Sequence, residues 1–323
     1  MQYEWHNGGA ASNNSSQDAL ERLHLSLETL GRHFNFDSVL SEPQGEAQVL
    51  KYYLWNRSAY SLLYDRRGFM HMGISDDGQH TKRDVFAQVR FISEQINESR
   101  PARVLELGSG TGVNTVTLAN KHSDVRFYAI DRRKRPFWHR GNPANVEFLI
   151  GDYHDLSQFA PGSVDLAFAI ETLCYSYNHG QLMAEVFRVL RPGGVAITFE
   201  GFCRKVDKDL TSDERLGVQL ASKAVGAERF CRPEDLIAAA SSAGFELRDR
   251  QDLSMAVRPT AIRLEKRSRL FLSPPLWPIR AVLPLPWKRN VMCGLVLAAL
   301  LESGAACYER HVFAKAAGSS SER

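Results

Sequence analysis

The sequence has 323 residues, enough for one α/β domain with sizeable additions. Its 44% hydrophobic and 24% charged residues are ordinary for a globular protein, and a net charge of +3 is too small to indicate a nucleic-acid partner. Five scattered cysteines without a C-x-x-C pair favour a reducing compartment and argue against a structural zinc. The sequence shows neither a signal-peptide pattern nor an apolar run of the ~20 residues that a membrane span needs. We therefore expect a cytoplasmic protein.

Helical patterns precede the first predicted strand. Residues 1–17 are rich in Asn, Gly and Ser, which predicts a disordered tail. Apolar residues among charges predict a helix over 18–34, the aromatic stretch 46–66 predicts a helix or a helix pair, and a further helix is expected over 81–96. Residues 18–100 are thus interpreted as a helical cap over a cofactor and substrate cleft.

The strongest motif is Glu-Leu-Gly-Ser-Gly-Thr-Gly at 106–112. It follows an apolar run at 104–107, typical of a strand buried in a parallel sheet, and it leads into a helical pattern. Ligands of open α/β sheets bind at this end of the strands. The G-x-G-x-G spacing differs from that of dinucleotide loops, and the carboxylate of Glu106 would repel a phosphate. S-adenosylmethionine has an ammonium, a sulfonium and no phosphate, so the motif favours it over a nicotinamide cofactor.

Two further strands are predicted at 125–130 and 146–150. Asp131 ends the first strand, where a carboxylate can accept hydrogen bonds from both ribose hydroxyls. The second strand is followed by Asp152, which can accept from an adenine amine, and by Tyr153, which can lie against the adenine ring.

A fourth strand is predicted at 164–170, followed by a helical pattern up to Leu190. Arg-Pro-Gly-Gly at 191–194 predicts the end of that helix and a reversal of the chain, and 195–199 predicts a fifth strand. Glu171 directly follows the fourth strand, at the end of the cleft where an acceptor would lie.

In their order and spacing, these motifs resemble the class I S-adenosylmethionine-dependent methyltransferases, over roughly residues 100 to 200. The resemblance implies an α/β, Rossmann-like fold, in which a seven-stranded, mostly parallel sheet has a reversed final hairpin and helices on both faces. No metal site is expected. The predicted cofactor-binding residues are Glu106, Gly108, Ser109, Gly110, Asp131, Arg132, Gly151, Asp152, Tyr153 and Ile170.

The N-terminal segment is similar to the sterol and isoprenoid C-methyltransferases, through Tyr52-Tyr53 and Phe69-Met70-His71. The stretch 169–176, Ala-Ile-Glu-Thr-Leu-Cys-Tyr-Ser, also resembles an Ile-Glu-Ala-Thr-Cys-His stretch of the sterol enzymes. Methylation of an alkene carbon leaves a carbocation, which needs negative charge or π-density and then a base. The predicted catalytic residues are Glu171, His71, Tyr52 and Tyr53. The predicted substrate pocket contains Phe69, Tyr175, His179, Trp277 and Trp287.

Several alternatives stay open at this point. The basic run 132–135 is either a solvated face or an attraction for an anionic acceptor such as a prenyl diphosphate. The aromatic residues of the cap could serve packing alone, and Glu171 could bond only backbone groups.

Two rival functions also stay open. In an O- or N-methyltransferase of natural products, His71 or His179 would deprotonate the acceptor. A non-methylating S-adenosylmethionine-binding protein is the second rival, and the intact Glu106, Asp131 and Asp152 argue against it.

The C-terminal part is longer than the fold requires. The methyltransferase domain is expected to span 101–317, with additions at 201–230 and 251–308. A helix over 233–243 and strands over 245–249 and 309–315 complete the predicted fold. The second addition combines prolines and tryptophans at 274–287 with an apolar helix at 291–301. Such apolar surface faces a ligand, a dimer partner or a membrane surface, and the roof of a substrate tunnel is the favoured interpretation.

Overall fold

A seven-stranded sheet in the order β3-β2-β1-β4-β5-β7-β6 forms the centre of the computed structural model. Only β7 runs antiparallel to its neighbours, which confirms the predicted mostly parallel sheet with a reversed final hairpin. The structure describes residues 13–42, 65–133, 143–227, 229–276, 278 and 285–317. The strands are β1 (Arg103–Leu107), β2 (Arg126–Asp131), β3 (Val146–Ile150), β4 (Val164–Ile170), β5 (Leu190–Cys203), β6 (Phe245–Asp252) and β7 (Ala306–Lys315).

Helices cover both faces of this sheet. Within the described ranges they are α1 (Asn13–Gly31), α2 (Phe36–Leu40), α3 (Ala87–Ser99), α4 (Val113–Lys121), α5 (His179–Val189), α6 (Ser212–Val225), α7 (Pro233–Ser242), α8 (Ser254–Leu272) and α9 (Leu285–Glu302). Short 3-10 turns lie at Asp84–Phe86, Leu173–Tyr175, Asp207–Asp209 and Pro274–Leu276.

The parallel register brings the functional strand ends to one edge of the sheet. Leu107 at the end of β1 pairs with Ile130 of β2 and with Ala169 of β4, and Ile170 of β4 pairs with Phe199 of β5. The carboxyl ends of these strands therefore form one crevice, the usual ligand site of an open α/β sheet. Because β7 is antiparallel, the beginning of that strand lies at the same edge.

The helical layer above this edge is built around α9. This helix packs against α1, α6 and α8, and most of its apolar residues from Val291 to Leu301 are buried. The apolar run is thus the centre of the cap, and the packing of three helices against it explains the composition of the second addition. Among the described residues, no helix is long and apolar enough to cross a membrane.

Several elements differ from the sequence-based expectation, α1, β5 and α8 among them. Helix α1 begins at Asn13, inside the stretch predicted as a disordered tail. Strand β5 begins at Leu190 rather than at Val195, because residues 191–194 form an irregularity between two paired segments. Helix α8 was not predicted: Pro259 lies inside it, and its buried face includes the polar residues Glu265 and Ser268.

Candidate functional site

The glycine turn after β1 uses backbone conformations that favour glycine. Gly108 and Gly110 have φ angles of +64° and +54°. A Cβ on Gly108 would lie 2.0 Å from Oγ1 of Thr172, whereas a Cβ on Gly110 would meet no atom within 4 Å. Gly108 is therefore required by packing against the loop after β4. The backbone at Gly110 instead borders open space that a ligand can occupy.

This difference predicts separate effects for two alanine substitutions. Gly108→Ala should lower the free energy of unfolding by about 2–5 kcal/mol, because it adds a steric clash to left-handed strain. Gly110→Ala should cost only about 1–2 kcal/mol of stability, but it should weaken S-adenosylmethionine binding by about tenfold because its methyl group enters the ligand space. Urea unfolding and titration calorimetry on both variants measure the two quantities. Equal stability losses would contradict the assignment.

Asp131 is fixed by the same turn. Its Oδ2 accepts a hydrogen bond from the Gly110 N–H at 2.8 Å, and its Oδ1 accepts from the Arg133 N–H at 3.0 Å. The carboxylate is thus oriented at the end of β2 before any ligand binds, with lone pairs left to accept from ribose hydroxyls. The structure brings Asp131 and the glycine turn together, as the sequence predicts.

Glu106 lies beneath the turn and bonds to helix α4. Its carboxylate accepts hydrogen bonds from Nδ2 of Asn114 at 3.1 Å, from the Thr115 N–H at 3.2 Å and from the Thr115 hydroxyl. Burial raises the pKa of Glu106 to about 7. The side chain therefore braces the turn against α4, and its predicted contact with the cofactor stays a prediction.

The predicted adenine site is a connected polar cluster. Asp152 pairs with Arg132 at 2.7 Å and with Nδ1 of His154 at 2.7 Å. Tyr153, predicted to lie against the adenine ring, is buried and donates its hydroxyl to the Thr172 carbonyl at 3.0 Å. The exposed aromatic ring of the cluster is Tyr177, which stacks on His154 with ring centroids 3.8 Å apart.

A cavity of about 610 Å³ connects the glycine turn with the helical cap. Its walls include seven of the predicted site residues: His71, Gly108, Ser109, Gly110, Ile170, Glu171 and Tyr175. Apolar side chains of α8 and α9 form the far wall, among them Leu264, Phe271, Val291, Leu297 and Leu301. The cavity thus has a polar end at the cofactor turn and a mainly apolar chamber beyond it.

Glu171 also lines this cavity. Its φ angle of +49° is unusual for a residue with a side chain, and such strain concentrates at functional sites. Its Oε1 accepts a hydrogen bond from the Met72 N–H at 2.6 Å, and the Tyr308 hydroxyl bonds to the same carboxyl. Separation from bulk water raises the pKa of Glu171 to about 7. This carboxyl can therefore exist in either protonation state near neutral pH.

His71 lines the cavity as a neutral imidazole. Its Nε2 lies 3.2 Å from Oδ1 of Asn114, and burial lowers its pKa. Because the Asn114 amide donates to Glu106, its oxygen faces His71, so both ring nitrogens point at acceptors and the neutral ring can donate to only one of them. The other ring nitrogen, Nδ1, lies 3.2 Å from the Met72 carbonyl.

Other predicted site residues lie elsewhere. Phe69 is 1% exposed and packs edge-on against Phe86 in the core, and His179 bonds to the Leu173 carbonyl at 3.1 Å; neither lines the cavity. A Cβ on Gly151 would meet Ile130, so this glycine serves close packing beside β2. The predictions for Tyr52, Tyr53 and Trp277, and for the side chain of Trp287, lie outside the described residues.

Two polar residues of the cavity were not predicted from the sequence. Glu200 directly follows the part of β5 that pairs with β4 and lines the same cavity as Glu171, and Tyr308 enters from β7. The rule that singled out Glu171, a carboxylate at a strand end, could also have found Glu200. Tyr308 could not be found this way, because its place depends on the antiparallel register of β7. Within the described part of the chain, no group of three or more His, Cys, Asp or Glu side chains is arranged to hold a metal ion.

Comparisons with known proteins agree with this geometry. Residues 105–198 match a family described as a methyltransferase domain. A sterol 24-C-methyltransferase of Gibberella zeae is 27% identical over 68% of this chain, and the match covers 58% of that enzyme. An O-methyltransferase of Aspergillus nomiae is 32% identical over 41% of this chain and 63% of its own length. This chain thus spans less than two thirds of either relative.

The fold is also found in a solved structure. Geranyl diphosphate C-methyltransferase from Streptomyces coelicolor, in complex with Mg²⁺, geranyl diphosphate and S-adenosyl-L-homocysteine, superposes with a TM-score of 0.57 at 16% identity. The superposition covers 82% of this chain and 97% of that one. The open space at Gly110 and the fixed carboxylate of Asp131 fit S-adenosylmethionine, which is the cofactor of such domains. The chain therefore carries an S-adenosylmethionine-dependent methyltransferase domain, and it is similar in sequence to the sterol 24-C-methyltransferases.

Proposed function

We propose that the protein transfers a methyl group from S-adenosylmethionine to an olefinic carbon of a small hydrophobic acceptor of the isoprenoid, sterol or prenyl diphosphate type. The observation that carries the proposal is the cavity, which joins the cofactor turn to a mainly apolar chamber and has Glu171 in its wall. Bound S-adenosylmethionine supplies an electrophilic methyl group. The chain itself has to align the acceptor, exclude water and manage the charge that develops.

The positive charge that forms on the acceptor defines the proposed role of Glu171. After an alkene carbon has gained a methyl group, the neighbouring carbon of the acceptor is positively charged. The Glu171 carboxylate, held by the Met72 N–H, stabilises this charge and then accepts a proton from the adjacent carbon. The electron pair of that C–H bond forms the new double bond. The apolar walls favour this sequence, because water would capture the cation.

Residues of the N-terminal cap and of the C-terminal addition are proposed to complete the chamber. Tyr52 and Tyr53 would add π-density near the cation, and Trp277 and Trp287 would add apolar wall, in line with the resemblance to sterol and isoprenoid enzymes. These four roles rest on the sequence. The cavity wall from α8 and α9 supports the tunnel interpretation for the C-terminal addition.

A product analysis tests the proposal. The protein is incubated with S-adenosylmethionine carrying a deuterated methyl group and, separately, with a sterol, geranyl diphosphate and a free prenol. We expect a hydrophobic product whose added methyl group is on carbon, as located by nuclear magnetic resonance. A methyl ether, ester or amine as the only product would contradict carbon transfer.

An O- or N-methyltransferase of natural products is the second candidate function. It is favoured by the similarity to the Aspergillus nomiae O-methyltransferase and by His71, a neutral imidazole in the cavity wall. His71 would then remove the proton of the acceptor hydroxyl or amine, and Glu171 would be incidental. The two candidate functions use different bases and give different products, so the same product analysis decides between carbon transfer and oxygen or nitrogen transfer. A third candidate, cofactor binding without methyl transfer, predicts that no acceptor gains the deuterated group.

Two proposals concern the partner that contacts the exposed edge of the cavity, a lipid surface or a second copy of the protein. Leu270 lines the cavity and is 63% exposed, with exposed Lys266 and Arg267 beside it on α8. An apolar side chain next to basic ones suits an anionic lipid surface, and the same apolar edge suits a homodimer contact. Sedimentation with anionic vesicles, together with the mass of the protein in solution, decides between them.

A further inference from the structure

Glu200 stands beside Glu171 at the ends of two paired strands. The Glu171 N–H donates to the Phe199 carbonyl at 2.8 Å. Ile170 of β4 and Phe199 of β5 form the last pair of the two strands, and each is followed directly by one of the glutamates. Both line the same cavity, although Glu200 is only 2% exposed. Removal of one proton needs only one base, so the second buried carboxyl in this cavity requires another explanation.

The hydrogen bonds of Glu200 hold its carboxylate in place. Its Oε2 accepts from the Leu173 N–H at 2.7 Å and from the Cys174 N–H at 3.3 Å, and its Oε1 accepts from the Gly201 N–H at 3.1 Å. These three backbone donors favour the charged form of the group. Glu171 has one backbone donor and one phenol instead. The two carboxyls are thus fixed by different donors and can be substituted separately.

Five weak acids of the described residues interact with the pair. Tyr308 on β7, Tyr153 after β3, Cys174 after β4, Cys231 before α7 and Cys293 on α9 interact with one or both carboxyls. Burial raises the pKa of each of these groups, so all are neutral near pH 7. No cationic side chain of the described residues contributes to the charge balance of either glutamate. The basic residues of the cavity wall, as far as the structure describes it, are His71 and Arg267, and the pair supplies the negative charge there.

The two carboxyls cannot both ionise without cost. Burial raises the pKa of Glu171 to about 7 and, together with repulsion from Glu171, that of Glu200 to about 8. Two interacting carboxyls titrate as a unit, so the pair holds at least one proton at neutral pH while the chamber is empty. A cation in the chamber would favour the doubly charged form and release that proton.

We propose that Glu171 and Glu200 act as one proton-sharing pair that binds a lipophilic cation, and that a proton leaves the pair to solvent when a permanent cation binds. The carbocation as natural occupant rests on the proposed function. In the reaction, one carboxylate faces the positive carbon while the other receives the proton from the neighbouring C–H bond. The first carboxylate thereby keeps a negative charge in the chamber after the second has been protonated.

The test uses octyltrimethylammonium, a lipophilic cation that can neither be methylated nor lose a proton. Calorimetry at pH 7 in two buffers with different ionisation enthalpies gives the number of protons released. We expect about one proton per ammonium bound to the wild-type protein. Affinity should rise as the pH increases from 6 to 8, because the deprotonated pair binds the cation.

Substitution then separates the two carboxyls. Glu200→Gln keeps an acceptor for the backbone donors but leaves a single ionisable carboxyl, so proton release should fall by more than half and affinity at pH 8 at least tenfold. Glu171→Gln should behave alike, and Glu246→Gln, at an exposed position on β6, should behave as the wild type. Unchanged binding of S-adenosylhomocysteine shows that each variant is folded.

The outcomes distinguish this inference from the proposed function. Binding of the ammonium to the wild-type protein without proton release overturns the pair, even if carbon methylation is observed. Proton release that persists in both glutamine variants also overturns it. Conversely, proton release as expected, with no methyl group on carbon in any product, keeps the pair and overturns the proposed reaction. The wild-type measurement decides even if Glu200→Gln does not fold.

Discussion

Glu171→Gln should lower the turnover number by about 10² or more, the lower end of general-base effects. The amide keeps the size of the side chain and an oxygen for the Met72 N–H, but it can neither carry a negative charge nor accept the proton. Affinity for S-adenosylmethionine should stay nearly unchanged, because the proposed role of Glu171 is toward the acceptor and not toward the cofactor. Steady-state kinetics with the acceptor found by product analysis, together with cofactor titration, measure both quantities.

The control for this variant is His71→Gln. If the carboxyl is the base, loss of the imidazole should reduce turnover far less than loss of the carboxyl. A Glu171→Gln protein with near-normal turnover would move the base to His71 and favour the O- or N-methyltransferase. The pH profile adds an independent criterion: wild-type turnover should rise with pH through about 7, where Glu171 loses its proton.

The same variant should change how stability depends on pH. The pKa of Glu171 is raised from about 4.5 in the unfolded chain to about 7 in the folded one. The folded protein therefore binds more protons than the unfolded chain between these values, and its stability falls as pH rises through that window. Glu171→Gln removes this contribution, so the melting temperature of the variant should decline less between pH 5 and 7.

The first four strands and their carboxyl ends could be predicted because both depend on local pattern. Strand β1 is buried on both faces, and four of its five residues, from Val104 on, are at most 4% exposed. Such a strand reads as a continuous apolar run. Asp131 and Glu171 follow directly from the rule that polar residues at carboxyl ends of parallel strands face the crevice.

The cap was harder to predict because polar residues occupy buried positions. Helix α8 buries Val257, Ala261, Glu265, Ser268 and Leu272, which have helical spacing. Two of these five are polar, so an apolar count misses the pattern. Glu265 is tolerated there because it pairs with Arg269 at 2.8 Å, a tertiary detail that the sequence does not reveal.

The adenine side of the site shows a different limit. Tyr153 follows Asp152 directly, and spacing alone suggested that both face the ligand. The turn after β3 instead buries Tyr153, whose hydroxyl donates to the Thr172 carbonyl, and the exposed ring beside it is that of Tyr177, which follows β4. The conformation of the turn decides which of two consecutive side chains, Asp152 or Tyr153, faces the ligand site, and no periodic sequence pattern predicts that conformation.

Asp131→Ala should weaken binding of S-adenosylmethionine by at least tenfold while the fold survives. Two charge-assisted hydrogen bonds to ribose hydroxyls contribute roughly 1.5–3 kcal/mol each, so even partial compensation by water leaves a measurable loss. The substitution also removes the acceptor of the Gly110 N–H, which loosens the turn around the ligand. Asp131→Asn keeps one oxygen for a backbone donor and should lose less affinity than the alanine variant.

Asp124→Ala is the matched control for this prediction, because Asp124 is exposed and lies before the opposite end of β2. It should bind S-adenosylmethionine and S-adenosylhomocysteine as the wild type does. Titration calorimetry with both ligands separates ribose contacts from methyl contacts, since the two ligands share the ribose. An equal loss for both ligands in Asp131→Ala, with an unchanged melting temperature of the free protein, is the expected result. Wild-type affinity in that variant would place the ribose elsewhere, and the polar cluster of Asp152, Arg132 and His154 would be the next position to examine.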